Sequence, residues 1–120
     1  LNSHTSIFAV AGQKRPNKNT KLYAAPLCNT AFNGSFCLGS ATVPVGLVNS
    51  AEMIKGTEDG VFKSSFTHIS HNKTFRAEGG VDNQLHIKKW RDLVSQNKAP
   101  MAADLTPLNM TLAEMIKEAQ

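Results

Sequence analysis

No run of apolar residues in this chain comes near the ~20 that a helix needs to cross a bilayer. Residues 1–10 also lack the charged start and long apolar centre of a secretory signal. Cysteine is scarce: 120 residues hold only Cys28 and Cys37. Two thiols spaced like this do not make the dense disulfide framework of a small secreted domain, so the chain reads as a protein of a reducing, cytoplasmic compartment with no membrane association. Aromatics are few, with one Trp, one Tyr and six Phe. No row of aromatics and no recognition-helix pattern accompanies the basic residues, which disfavours nucleic acid as a partner. Repeats, low-complexity tracts, a phosphate-cradling Gly-Lys loop and a serine-hydrolase elbow are all missing. At 13.0 kDa the chain can bury one core, which predicts a single domain over residues 1–120.

Acidic residues are absent from the first 51 positions, where Lys14, Arg15, Lys18 and Lys21 go unopposed, while residues 52–120 carry nine charges of each sign. The whole net charge of +4 therefore sits in one loop of eight residues. Such a loop is a solvated connection or a docking surface for an acidic protein or, as the weaker alternative, a phosphate backbone.

The apolar runs Ser6–Ala11 and Lys21–Ala25, separated by the polar loop Gly12–Thr20, predict an antiparallel hairpin. Pro44 and Gly46 argue against an interior strand over Ala41–Val48. Asn49–Gly56 predicts a short helix with Glu52 placed for capping, limited by Gly56 and Gly60. Phe62 and Phe66 read as core anchors. Asp82–Asn97 is the strongest helix: Ile87, Trp90, Leu93 and Val94 form one stripe, Lys88, Lys89, Arg91 and Asp92 face away, and Pro100 bars continuation. Thr111-Leu112-Ala113-Glu114 matches a capping box, and a stripe of Leu112, Met115, Ile116 and Ala119 follows it. So short a helix must dock on the domain or a partner. Strands first and helices later make an α+β pattern.

The residues with chemistry are the two cysteines, His4, His68, His71 and His86. A zinc site from Cys28, Cys37, His68 and His71 has suitable ligands but the wrong cysteine spacing, and no metal or other cofactor is expected. Cys37 and His68 suit a nucleophile and base pair, since a nearby base helps form a thiolate. Gly34 and Gly39 bracket Cys37 and place it on an irregular, partly exposed segment. Against these stand plainer readings: Cys37 as a buried apolar residue, Cys28 as packing, Asn29 as a turn residue, His68 as a hydrogen-bonded loop histidine, and His4, His71 and His86 as ordinary surface residues.

The run Pro26-Leu27-Cys28-Asn29-Thr30-Ala31-Phe32-Asn33-Gly34-Ser35-Phe36-Cys37-Leu38-Gly39 resembles the active-site stretch of ubiquitin-conjugating enzymes. There a His-Pro-Asn tripeptide is followed by a Gly-containing turn, an apolar residue and the thioester-forming Cys. Asn29, Gly34 and Cys37-Leu38 match; Leu27 and Cys28 replace the tripeptide's His and Pro. Together with Phe8–Gly12, Leu22-Tyr23, Ala25–Leu27, Phe66-Thr67-His68 and Leu112–Glu114, the pattern looks like the PRTRC system protein B family, prokaryotic ubiquitin-conjugating-like family D. In that family a downstream Phe-Thr-His motif supplies a histidine, matched by His68. Its members are encoded beside a ThiF-like activating protein, a small ubiquitin-like protein and a JAB-type peptidase.

The resemblance implies a ubiquitin-conjugating-like α+β fold, with Cys37 carrying a ubiquitin-like modifier as a thioester, Asn29 stabilising the oxyanion and His68 accepting a proton. Lys14, Arg15, Lys18 and Lys21 would dock the activating or modifier protein. The alternative is a catalytically silent binding module of the same fold. Such domains usually have a helix and a four-stranded meander before the active-site segment, yet only 36 residues precede Cys37. The chain is therefore expected to be the C-terminal part of a longer protein, or to have lost its first strands and to pair as a homodimer through an exposed sheet edge.

Overall fold

A computed structural model describes residues 5–36, 49–62 and 66–118. The predicted hairpin is present, shorter than its apolar runs: β1 (Phe8–Ala9) pairs antiparallel with β2 (Lys21–Ala24), Phe8 opposite Ala24 and Ala9 opposite Tyr23. Along β2 the side chains alternate, burying Leu22 and Ala24 while Lys21 stays in water, the period-two signature of a half-covered strand. Among the described residues two strands thus precede residue 37.

A third strand, β3 (Pro107–Thr111), joins the other edge of β2, giving the order β1-β2-β3, all antiparallel. It comes after two helices rather than before them. A register shift between Lys21 and Tyr23 and a left-handed Asn109 (φ 56°) make β3 irregular. With Pro107 as well, its outer side is a poor template for further pairing. The residues leading into β1 are paired on their own account: Ser6 bridges Ser35, Ile7 N–H donates to the Gly34 carbonyl (2.8 Å) and Phe36 N–H to the Thr5 carbonyl (3.1 Å).

Helix α1 (Ser50–Phe62) starts at the anticipated box, with Glu52 N–H donating to Asn49 Oδ1 (2.8 Å) and Asn49 N–H to Glu52 Oε2 (3.4 Å). It then runs through Gly56 and Gly60. Phe62 does not anchor the core; it is 71% exposed, because Gly60 and Val61 are the helix's buried residues. Phe66 does not anchor the core either: it is exposed, with its ring 6.1 Å from that of Phe36.

Helix α2 (Asn83–Ser95) begins at Asp82, whose Oδ1 accepts from Leu85 N–H (2.8 Å). It ends before Pro100 can act, where a left-handed Asn97 (φ 51°) lets its N–H and that of Lys98 donate to the Val94 and Leu93 carbonyls. The inward face differs from the expected stripe. His86, Trp90 and Leu93 turn inward, whereas Ile87 and Val94 lie 46% and 72% exposed. Lys89 does not face away either; its ammonium reaches Asp104 (3.4 Å). The face is rotated because Phe75 is the nucleus: with Val81 and Leu93 it forms the buried cluster that Ile69 and Trp90 complete. Its ring lies 5.6 Å from Trp90, edge on, and 5.4 Å from His86. Trp90 Nε1 donates to the Pro26 carbonyl (2.8 Å), tying α2 to the chain just after β2.

After a 3-10 turn (Ala102–Asp104) and β3, helix α3 (Leu112–Glu118) is capped by Thr111 and Glu114 as anticipated. Its first free N–H groups are satisfied by the basic loop, Leu112 donating to the Thr20 carbonyl (2.8 Å) and Ala113 to that of Lys18 (3.1 Å). This is how so short a helix docks. No helix among the described residues is long and apolar enough to cross a membrane.

Candidate functional site

The segment after β2 folds into a small knot whose geometry follows from its turn residues. Asn29 adopts a left-handed backbone (φ 59°), which Asn tolerates better than most residues. Thr30, fully buried, folds its Oγ1 onto the Cys28 carbonyl (3.2 Å) and bridges Phe36. Between them a tight turn closes with Ala31 N–H donating to the Ser35 carbonyl (2.8 Å) and Gly34 N–H to that of Ala31 (2.9 Å). Asn33 Oδ1 accepts from Ser35 N–H (3.0 Å). Gly34 is required twice over: its φ is 94°, and a Cβ there would run into the Phe8 ring. Phe36, the residue before Cys37, is buried and its N–H is held by Thr5.

Cys37 itself lies outside the described residues, as do His4, Gly39 and Ala41–Val48. Asn29 and His68, 39 positions apart, are brought together: Asn29 N–H donates to the His68 carbonyl (3.0 Å). The side chain of His68 is exposed, with Nδ1 3.0 Å from Thr67 Oγ1. The Phe36–Phe66 ring contact joins the same two segments on either side of this hydrogen bond. The described half of the site is thus a bridged segment ending at Phe36, a left-handed Asn and an exposed imidazole, joined by the Asn29–His68 backbone hydrogen bond and the Phe36–Phe66 ring contact.

The other expected site residues lie apart from this knot. Lys14, Arg15, Lys18 and Lys21 are all exposed, the first three in the loop between β1 and β2 and the last at the start of β2. Cys28 is half-buried, and burial pushes its thiol pKa up, which suits packing rather than nucleophilic work. It lines a cavity of about 420 Å³ with His86, Ile87, Trp90 and Val94.

Two histidines depart from the surface role expected of them. His86 is buried and shares a 2.7 Å hydrogen bond between its Nδ1 and Thr74 Oγ1. His71 accepts Lys73 N–H at Nδ1 (3.0 Å), and its Nε2 is buried without a partner among the described residues. Its ring stands edge-on to Phe32 in the turn before Cys37, 5.5 Å away. Burial holds both imidazoles below the usual histidine pKa, His71 further through Lys73 and His86 further through His71. Spacing in the sequence gave no sign of this, because the burying partners, Phe32, Thr74 and Phe75, come from other turns of the chain. Among the described residues no group of three or more His, Cys, Asp or Glu side chains is placed to hold a metal ion.

The model of a family described as Prokaryotic E2 family D matches residues 1–107. No curated protein and no solved structure matches the chain.

Proposed function

The chain belongs to prokaryotic E2 family D, and from that premise we propose that it carries a ubiquitin-like modifier as a thioester on Cys37 and passes it to an acceptor, as a PRTRC system protein B. The observation that carries the reading is the Asn29–His68 hydrogen bond, which joins the two motif segments beside the bridged residue Phe36 that precedes Cys37.

In the proposed reaction the Cys37 thiolate attacks the modifier's C-terminal acyl carbon, in an adenylate or a thioester to the activating protein. A C–S bond forms, and adenylate or the activating protein's thiolate leaves. An acceptor amine then attacks the same carbon, expelling the Cys37 thiolate, and the amine's proton passes to His68. The Asn29 carboxamide donates to the oxyanion of each tetrahedral intermediate. Removing such a donor costs roughly 10²–10³ in rate. The partners are a ThiF-like activating protein and a small ubiquitin-like protein, docked through Lys14, Arg15, Lys18 and Lys21.

The test is to incubate the chain with ATP, a ThiF-like activating protein and a small ubiquitin-like protein of the kind encoded with members of the resembled family, then resolve the products without reductant. An adduct that thiol releases, that Cys37→Ser abolishes and that Cys28→Ser preserves supports the reading; its absence with a competent activating protein contradicts it. One observation favours the second reading, a silent binding module: the left-handed backbone of Asn29 gives this Asn a structural purpose without any chemistry. Under that reading Cys37→Ser retains every partner interaction and changes no transfer.

A further inference from the structure

A cavity of about 490 Å³ opens between β2, β3 and the Ala102–Ala103 turn, with Lys21, Tyr23, Arg76 and Glu114 in its walls. A second, of about 400 Å³, is lined by Lys73, Phe75, Arg76, Gly80 and Thr106. Arg76 lines both, Lys21 only the first and Lys73 only the second, so by the cavities they line the cations form a file in the order Lys21, Arg76, Lys73. Among the described residues neither Lys21 nor Arg76 has an ion-pair partner.

Counter-charge nearby is already engaged. Glu114, the carboxylate in the first cavity's wall, is held by Thr111 through its N–H (3.3 Å) and Oγ1 (3.0 Å). Asp104 is taken up by Lys89 (3.4 Å) and Met101 N–H (2.9 Å). The file has a direction. At one end Lys21 closes the acid-free loop of Lys14, Arg15 and Lys18. At the other the Lys73 ammonium lies 5.0 Å over the ring of Phe32, in the turn leading to Phe36 and Cys37.

We propose that this file is a track for an extended acidic peptide segment of a partner protein, which enters at the basic loop and runs past Lys21, Arg76 and Lys73 toward Phe32. Carboxylates along the segment meet the three cations, and apolar side chains between them meet Pro107 and Met110. The track speeds encounter by charge and fixes register by the spacing of its cations. It rests on the proposed function only in giving the segment's end a purpose beside Cys37; binding itself needs no thiol chemistry.

The experiment measures anisotropy of a short fluorescein-labelled peptide of alternating Glu and Leu, against its Gln-for-Glu counterpart, with the full chain. The acidic peptide is expected to bind, to weaken as salt rises from about 50 to about 200 mM, and to outcompete the Gln peptide. Neutralising Lys21, Arg76 and Lys73 together to Gln weakens it roughly tenfold or more, and Arg76→Gln alone causes the largest single loss. Lys55→Gln on α1 changes nothing, and binding is read without ATP or an activating protein, so failure of thioester chemistry leaves this result standing. Far-UV circular dichroism and Trp90 emission show that each variant is folded. The proposal is overturned if the peptide does not bind or if the triple variant binds like the parent. It is also overturned if neutralising Lys14, Arg15 and Lys18 removes all binding that the triple variant loses, or if free glutamate competes as well as the peptide.

Discussion

Helices α1 and α2 are each thirteen residues long, and each opens on an Asx side chain that caps its first turn, yet they are held in opposite ways. Helix α2 sends Trp90 to a carbonyl 64 positions away and sets His86 and Leu93 against Phe75, Thr74 and Val81. Helix α1 buries only Gly60 and Val61 and leaves Ile54 and Phe62 61% and 71% exposed. The cap decides where a helix starts; the anchor decides what it is worth to the fold. A cap contributes about 1 kcal/mol, whereas a buried aromatic contributes about 3–5 kcal/mol.

The comparison is broken most forcefully at the anchor. Phe75→Ala removes the ring on which His86, Trp90, Val81 and Leu93 converge and is expected to cost about 3–5 kcal/mol, read as a lower urea midpoint. Acid acts on the same helix. The folded chain holds His86 and His71 below the ordinary pKa of 6.5, so below that pH the unfolded chain binds more protons. Their contribution is full above pH 6.5 and is lost as pH falls through it toward the depressed folded values. Urea midpoints measured downward across that range should therefore fall, and less steeply in His86→Gln; a flat profile would count against burial of these rings.

Smaller changes sharpen the contrast. Asp82→Ala is expected to cost about 1 kcal/mol in the global transition, read by the emission of the lone Trp90. Asn49→Ala, an equivalent cap loss on α1, should lower helical circular dichroism and leave the Trp90 midpoint where it was, because α1 opens without the core. Ile54→Gln, the mildest, should move the midpoint by no more than about 0.5 kcal/mol. A large effect from Ile54→Gln would mean that α1 is anchored after all.

Local signals in the sequence were the legible ones. The β1–β2 hairpin, the caps at Asn49 and Thr111 and the body of α2 depend on neighbours within a few positions, and each is where its residues indicate. What escaped depends on distant partners. A strand containing Pro107 and Asn109 runs against strand preference and forms because it satisfies the open side of β2. The inward face of α2 is turned by Phe75, which no periodicity within the helix encodes. Phe62 has the composition of an anchor and no partner surface among the described residues. In the candidate site, the resemblance named Asn29 and His68 one by one, but their meeting through a backbone hydrogen bond, and the packing of His71 against Phe32, required the fold.

The most direct test of the central claim, that Cys37 is the reactive thiol of this fold, is alkylation of both cysteines in the native chain between about pH 6 and about pH 9, mapped by peptide mass against a denatured control. The account predicts that Cys37 labels rapidly across the range, while Cys28, half-buried with its pKa pushed up by burial, labels slowly until the chain unfolds. Protection of Cys37 in the native chain, or labelling no faster than that of Cys28, would contradict it.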